Sequence, residues 1–129
     1  ERDKVIDEFV LNIDIAPSIL SAAGSEIPGS MQGSDFSGLY LSKQNKKWRQ
    51  DFFYEHPFVT NEKRIPSSEA LVTKSAKYII WPHYQYEEYF DLVNDPLEKG
   101  NVINRHEYAS QVYKLKRRFD ELKIMAKND

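Results

Sequence analysis

Six apolar residues near the end of the chain, Tyr108, Val112, Leu115, Phe119, Leu122 and Ala126, recur at alternating spacings of four and three. That rhythm puts them in one stripe along a helix of about twenty residues, with Lys and Arg on the remaining surface. A helix of this kind is held mainly by whatever covers its stripe, so the chain must supply a flat apolar partner. Four short runs ahead of it fit: "QDFFYEH" (50–56), "EALVTK" (69–74), "KYIIWP" (77–82) and "EEYFDLV" (87–93). Each is rich in aromatic and β-branched residues and has the length of a strand. The reading is an α+β layer: a four-stranded antiparallel sheet with a long C-terminal helix packed on one face.

The connections support a meander. Ser75-Ala76 separates the second and third runs at the spacing of a tight hairpin, without the usual Gly or Asn. Pro82 lacks a ladder donor and should end the third strand. Residues 57–68 form the one long loop, and the strand near Phe53 joins at an edge. After the fourth run, Asn94-Asp95-Pro96 marks a turn, because Pro96 biases Asp95 away from helix. Asn104 and Glu107 then have the spacing of a capping box for the long helix.

Upstream, "NIDIAPSILSAAG" (12–24) reads as a short buried helix. With Asp14 as N-cap, Pro17 takes the third helical position, where its missing N–H costs nothing. Asn12 is the alternative cap but would push Pro17 deeper, at the cost of a hydrogen bond. Gly24 stops the helix in a left-handed conformation. Residues 25–51 read as an extended connection without elements. Its basic run, with Lys43, Lys46, Lys47 and Arg49, is a solvated loop or a polyanion contact.

Composition excludes several functions. The 129 residues make one ordinary domain, and a net charge of −2 gives no basic field for nucleic acid or anionic lipid. With no cysteine, disulfides, thiolate metal sites and a thiol nucleophile are all excluded. No run approaches the roughly twenty apolar residues that cross a bilayer. The opening Glu-Arg-Asp-Lys, with neither Met nor an export segment, suggests a piece of a longer protein. His56, His83 and His106 stand on different elements, which makes them poor joint metal ligands. Glu87 and Glu88 are neighbours on one strand and point to opposite faces, so they form no carboxylate dyad. No nucleophile, base and oxyanion site come together, and the chain alone is expected to catalyse nothing.

Binding groups are more plausible. Tyr54-Glu55-His56 ends a strand beside the long loop, a place where ligand contacts are often set. Trp48, Tyr84 and Tyr86 are candidates for stacking on sugar rings or bases, or else pack within the fold.

Two stretches carry a family resemblance. "NIDIAPSILSAAGSEIPGSMQG" resembles the D-x-x-P-T-L-L-x-L-A-G-x-x-x-P-x-x-x-x-G segment of sulfatases. "KYIIWP…EEYFDLVNDPLEKGNVI" is similar to their K-Y-I…E-L-Y-D-L-x-x-D-P-x-E-x-x-N-L ending. Between them, "WRQDFFYEHP" resembles the W-R-x-x-x-x-Y-E-H of members acting on sulfated amino sugars, such as N-acetylglucosamine-6-sulfatases. Ser18 for Thr, and "SDFSGLYL" for S-L-x-P-L-L, depart from the pattern. The resemblance implies the alkaline-phosphatase-like superfamily. Residues 1–49 would be the last helix and connecting loop of its α/β catalytic domain, and residues 50–129 the C-terminal subdomain.

It also implies a Ca2+ ion and a formylglycine in the full-length parent, both upstream of this sequence, which holds no catalytic or metal residue of its own. His56 is implied as a substrate contact, with Glu55 a weaker second. The implied partners are the missing catalytic domain and a sulfated sugar, with neither nucleic acid nor membrane. The parent is expected to be periplasmic or secreted, and the separated piece to self-associate through Ile15, Ile19 and Leu20. An independent carbohydrate-binding module and a purely structural subdomain remain the competing readings.

Overall fold

The computed structural model describes residues 3, 5–41, 47–57 and 64–127. The chain divides into two compact units, Glu1–Gln50 and Asp51–Asn128.

In the first unit, a 3-10 turn at Asn12–Asp14 runs into α1 (Ile15–Ala22). Asp14 takes the N-cap position and Pro17 the third helical position, as the sequence predicts. Gly24 follows at φ +68°, a conformation that only glycine adopts freely. Within this chain the helix is not buried: Ile15 and Ile19 are 50% and 63% exposed, the open apolar side expected of a piece separated from its parent. The hydroxyl side of α1 is what faces the rest of the unit. Ser21 Oγ donates to Asp35 Oδ2 at 2.7 Å, and Phe36 N donates to Ser18 Oγ at 3.1 Å. Ser18 thus retains the hydroxyl that a Thr would place there. Asp35 also accepts from the Ser37 amide and hydroxyl, both at 2.8 Å, and this starts α2 (Ser37–Tyr40). That helix is a single turn within the stretch read as lacking elements.

The second unit is the predicted layer. β1 (Asp51–His56), β2 (Ser68–Thr73), β3 (Ala76–Trp81) and β4 (Tyr86–Asp91) form one antiparallel sheet in chain order. The β2–β3 loop is Lys74-Ser75, one residue earlier than expected. Thr73 replaces the missing turn residues: its Oγ1 accepts from the Ser75 and Ala76 amides and donates to the Ala76 carbonyl. Pro82 ends β3 and opens a 3-10 turn, Pro82–Tyr84, that closes on Gln85 at φ +49°.

α3 (Ala109–Lys127) lies on one sheet face. Phe119 meets the rings of Phe53 and Tyr78 edge-on, each at 5.5 Å, beside Leu71, Leu115 and Leu122. A second cluster joins Ala76, Tyr89 and Val112 to Tyr108. Of the predicted stripe, Ala126 alone stays exposed. Three ion pairs fasten the helix to the strands: Arg118–Asp51, Lys116–Glu87 and Lys123–Glu69. Lys116, more than burial opposes it, holds the Glu87 carboxyl below the usual range. The predicted Asn104–Glu107 capping box does not form. Arg105 instead precedes a 3-10 turn, His106–Tyr108, whose Tyr108 hydroxyl donates to Asp91 Oδ2 at 3.0 Å and sets the helix start one turn later.

Asp91 also organises the Asn94 turn. Its Oδ1 accepts from the amides of Val93 and Asn94 at 3.0 and 3.1 Å. The chain then returns along the outer edge of β4. Val102 N donates to the Tyr89 carbonyl, and Asn101 Oδ1 accepts from Tyr89 N, each at 3.0 Å. Much of that edge is thereby closed to further strand pairing. Among the described residues, no helix is long and apolar enough to cross a membrane.

Candidate functional site

Strand alternation separates the two residues that the sequence singled out. Asp51 bonds Arg118 of α3 and Phe53 packs on Phe119, so odd-numbered positions of β1 face the helix. Glu55 therefore lies on the α3 side, where its register partner is Glu69. Two carboxylates directly opposite repel, and the Lys123 ammonium on Glu69 offsets part of that repulsion. His56 belongs to the other face, with Tyr54. A single ligand on that face is within reach of the His56 and Tyr54 side chains, while Glu55 points away from it.

Register extends the His56 position across the sheet. His56 pairs with Ser68. Continuing from Glu69↔Ile80 by one residue puts Ser68 opposite Trp81, and Trp81 pairs with Tyr86. Residues His56, Ser68, Trp81 and Tyr86 thus form one cross-strand row on the face away from α3. Adjacent strands lie about 4.8 Å apart, so the row spans roughly 14 Å.

Both aromatic residues of the row are held. Trp81 Nε1 donates to Glu88 Oε2 at 2.8 Å, and the indole packs beside Ala70, Ile79 and Phe90. The Tyr86 hydroxyl accepts from Asn101 Nδ2 at 3.0 Å, while its residue remains 49% exposed. Tyr54 is similarly open. The other stacking candidate in this turn, Tyr84, meets His83 edge-on at 5.0 Å.

Trp48 and Arg49 belong to the first unit and have settled roles there. Trp48 Nε1 donates to the Phe9 carbonyl at 2.8 Å, and the Arg49 guanidinium stacks over its ring at 5.0 Å. Arg49 also forms a bidentate pair with Asp14, whose carboxylate is fully buried and further accepts from the amides of Leu11 and Ser34, each at 2.8 Å. Burial alone would raise the Asp14 pKa, yet Arg49 and the two amides outweigh it and hold the carboxyl below its usual range. Arg49 is therefore neither a solvated cation nor a polyanion contact, and Asp14 caps α1 by position without a side-chain bond. Lys43 and Lys46 lie outside the described residues. Gly33 completes this anchor: a Cβ there would overlap the Ile13 carbonyl, so only glycine lets the chain approach and present Ser34 N to Asp14.

Among the described residues, no three His, Cys, Asp or Glu side chains gather in a way that could hold a metal ion. Trp81 escaped the sequence reading, because its place in the row depends on where the β2–β3 and β3–β4 turns fall.

Residues 1–125 match the family described as N-sulphoglucosamine sulphohydrolase, C-terminal. An arylsulfatase of Clostridium perfringens is 34% identical over 112 residues, 87% of this chain and 22% of the relative. An N-acetylglucosamine-6-O-sulfatase of Bacteroides thetaiotaomicron is 26% identical over 126 residues, 92% of this chain and again 22% of the relative. This chain thus spans about a fifth of the length of these relatives. A solved structure described as a complex with its substrate D-glucosamine-2-N,6-O-disulfate superimposes with a TM-score of 0.80 at 26% identity, over 90% of this chain and 24% of that one.

Proposed function

Because this chain belongs to the N-sulphoglucosamine sulphohydrolase C-terminal family, we propose that it is the substrate-shaping end of a sulfuric ester hydrolase acting on sulfated carbohydrates. The reactive groups lie in the parent outside these residues. The family match across residues 1–125 carries this reading, since it takes in both compact units together. Residues 1–49 complete the catalytic domain, and the half-exposed Ile15 and Ile19 of α1 supply apolar surface for packing against it.

Within this division His56 contacts the substrate. An imidazole N–H donates to a sugar hydroxyl or a sulfate oxygen, and the bond to the anionic oxygen is the stronger. Such a contact, set away from the scissile ester, selects the sugar without carrying the chemistry. Glu55, on the α3 side opposite Glu69, takes no part in that contact. In the parent, Ca2+ and formylglycine supply the ester cleavage; no residue of this chain is assigned to hold them.

Sulfate release tests the proposal. The parent protein releases inorganic sulfate from N- or O-sulfated glucosamine, and the 129-residue chain alone releases none. Turnover by the isolated chain, or a parent inert toward every sulfated sugar, overturns the reading.

A further inference from the structure

Resting on the reading of His56 as a substrate contact, we propose that Lys123 of α3 is a positioning residue for it. By neutralising Glu69, Lys123 fixes the last rung of the β1–β2 ladder, on which His56 stands. The ladder closes with Glu55 opposite Glu69 and then His56 opposite Ser68. On its other side, β2 is in register with β3 from Glu69, opposite Ile80, inward. Glu69 is thus where β2 is gripped by both neighbours, and the His56–Ser68 rung hangs from it.

The rung next to His56 carries two like charges, which push the strands apart. Glu55 is exposed and keeps its hydration, whereas Glu69 is buried and cannot reach water without moving. Lys123 Nζ binds Glu69 Oε2 and supplies the missing counter-charge. The ammonium also stands 5.6 Å over the ring of Phe119, which is locked in the sheet–helix core, so the cation is set in place by packing. Without it, a buried carboxylate is left uncompensated beside a second one. Turning that group out to water opens the rung that anchors His56. A hydrogen bond tolerates little displacement, so an imidazole that drifts by about 1 Å loses its acceptor. The same helix offers an internal contrast. Arg118 pairs with Asp51 at 2.7 Å, at the other end of β1 and roughly 17 Å of strand from His56. That pair fastens α3 to the same strand without bearing on its last rung.

The test uses the full-length parent and measures kcat/KM on a sulfated glucosamine and on a small aryl sulfate, with melting temperature alongside. Lys123→Met is expected to lower the sugar value by roughly threefold to fivefold, the scale of one cross-strand charge interaction, and to leave the aryl sulfate unchanged. Lys123→Met with Glu69→Gln removes the stranded charge and is expected to return the sugar value to within about twofold of the parent's. Arg118→Met is expected to lower the melting temperature and leave both substrates alone. Equal loss on both substrates, a lowered melting temperature with no loss on the sugar, or a selective loss from Arg118→Met as large as that from Lys123→Met overturns the role of Lys123. So does a double variant that folds but stays as impaired as Lys123→Met, and the double variant decides the matter if Lys123→Met alone folds poorly. His56→Ala separates this proposal from the reading beneath it. A sugar loss from His56→Ala with none from Lys123→Met overturns Lys123 alone, whereas no sugar loss from His56→Ala overturns both.

Discussion

Arg49 closes a two-pronged ion pair on the fully buried carboxylate of Asp14, across 35 residues of chain, and thereby ties the end of the first unit to the start of α1. The pair lies within the first unit and makes use of both Asp14 oxygens. Removing one partner leaves the other charge buried without compensation. Arg49→Ala should cost about 3–5 kcal/mol, and Arg49→Lys most of that, because an ammonium cannot reproduce the fork. Urea denaturation of the variants checks both.

The same carboxylate sets an acid limit on stability. Its folded pKa is lowered, so its contribution is complete above the unfolded value of about 3.9 and is lost as pH falls through the lower folded value. Asp14→Asn should flatten the acid limb of the stability–pH curve while lowering stability at neutral pH. An unchanged slope below pH 4 would remove Asp14 from that role.

Gly33→Ala should destabilise the first unit by about 1–3 kcal/mol, since the new Cβ meets backbone that has no rotamer to yield. In the second unit, Phe119→Ala should cost about 3–5 kcal/mol, because that 1% exposed ring closes the sheet–helix core on Phe53 and Tyr78. Thermal denaturation resolves both effects.

The isolated chain should self-associate through the isoleucine side of α1 and the turn before it, where Ile13, Ile15 and Ile19 stand open. Light scattering should show a mass that rises with concentration. Ile19→Lys should return it to a monomer.

Periodicity made the second unit readable. All four strands fall within two residues of their sequence limits, because a sheet covered by one amphipathic helix imposes its pattern locally. What escaped was set at a distance. Asp14 reads as a helix cap until Arg49 and Ser34 arrive from far along the chain. α1 reads as buried through its isoleucines, yet within this chain its serines make the contacts and the isoleucines wait for other surface. His56 was legible as a strand-end group. Its separation from Glu55 follows from strand alternation, but its alignment with Trp81 and Tyr86 needed the turn at Thr73.

Substrate choice and chemistry are divided in this account, and one substitution measures the division. In the parent enzyme, His56→Ala should lower kcat/KM on a sulfated glucosamine by roughly tenfold or more, the loss of one charge-assisted hydrogen bond, and leave a small aryl sulfate nearly unchanged. Equal loss on both substrates, or none on the sugar, would contradict it.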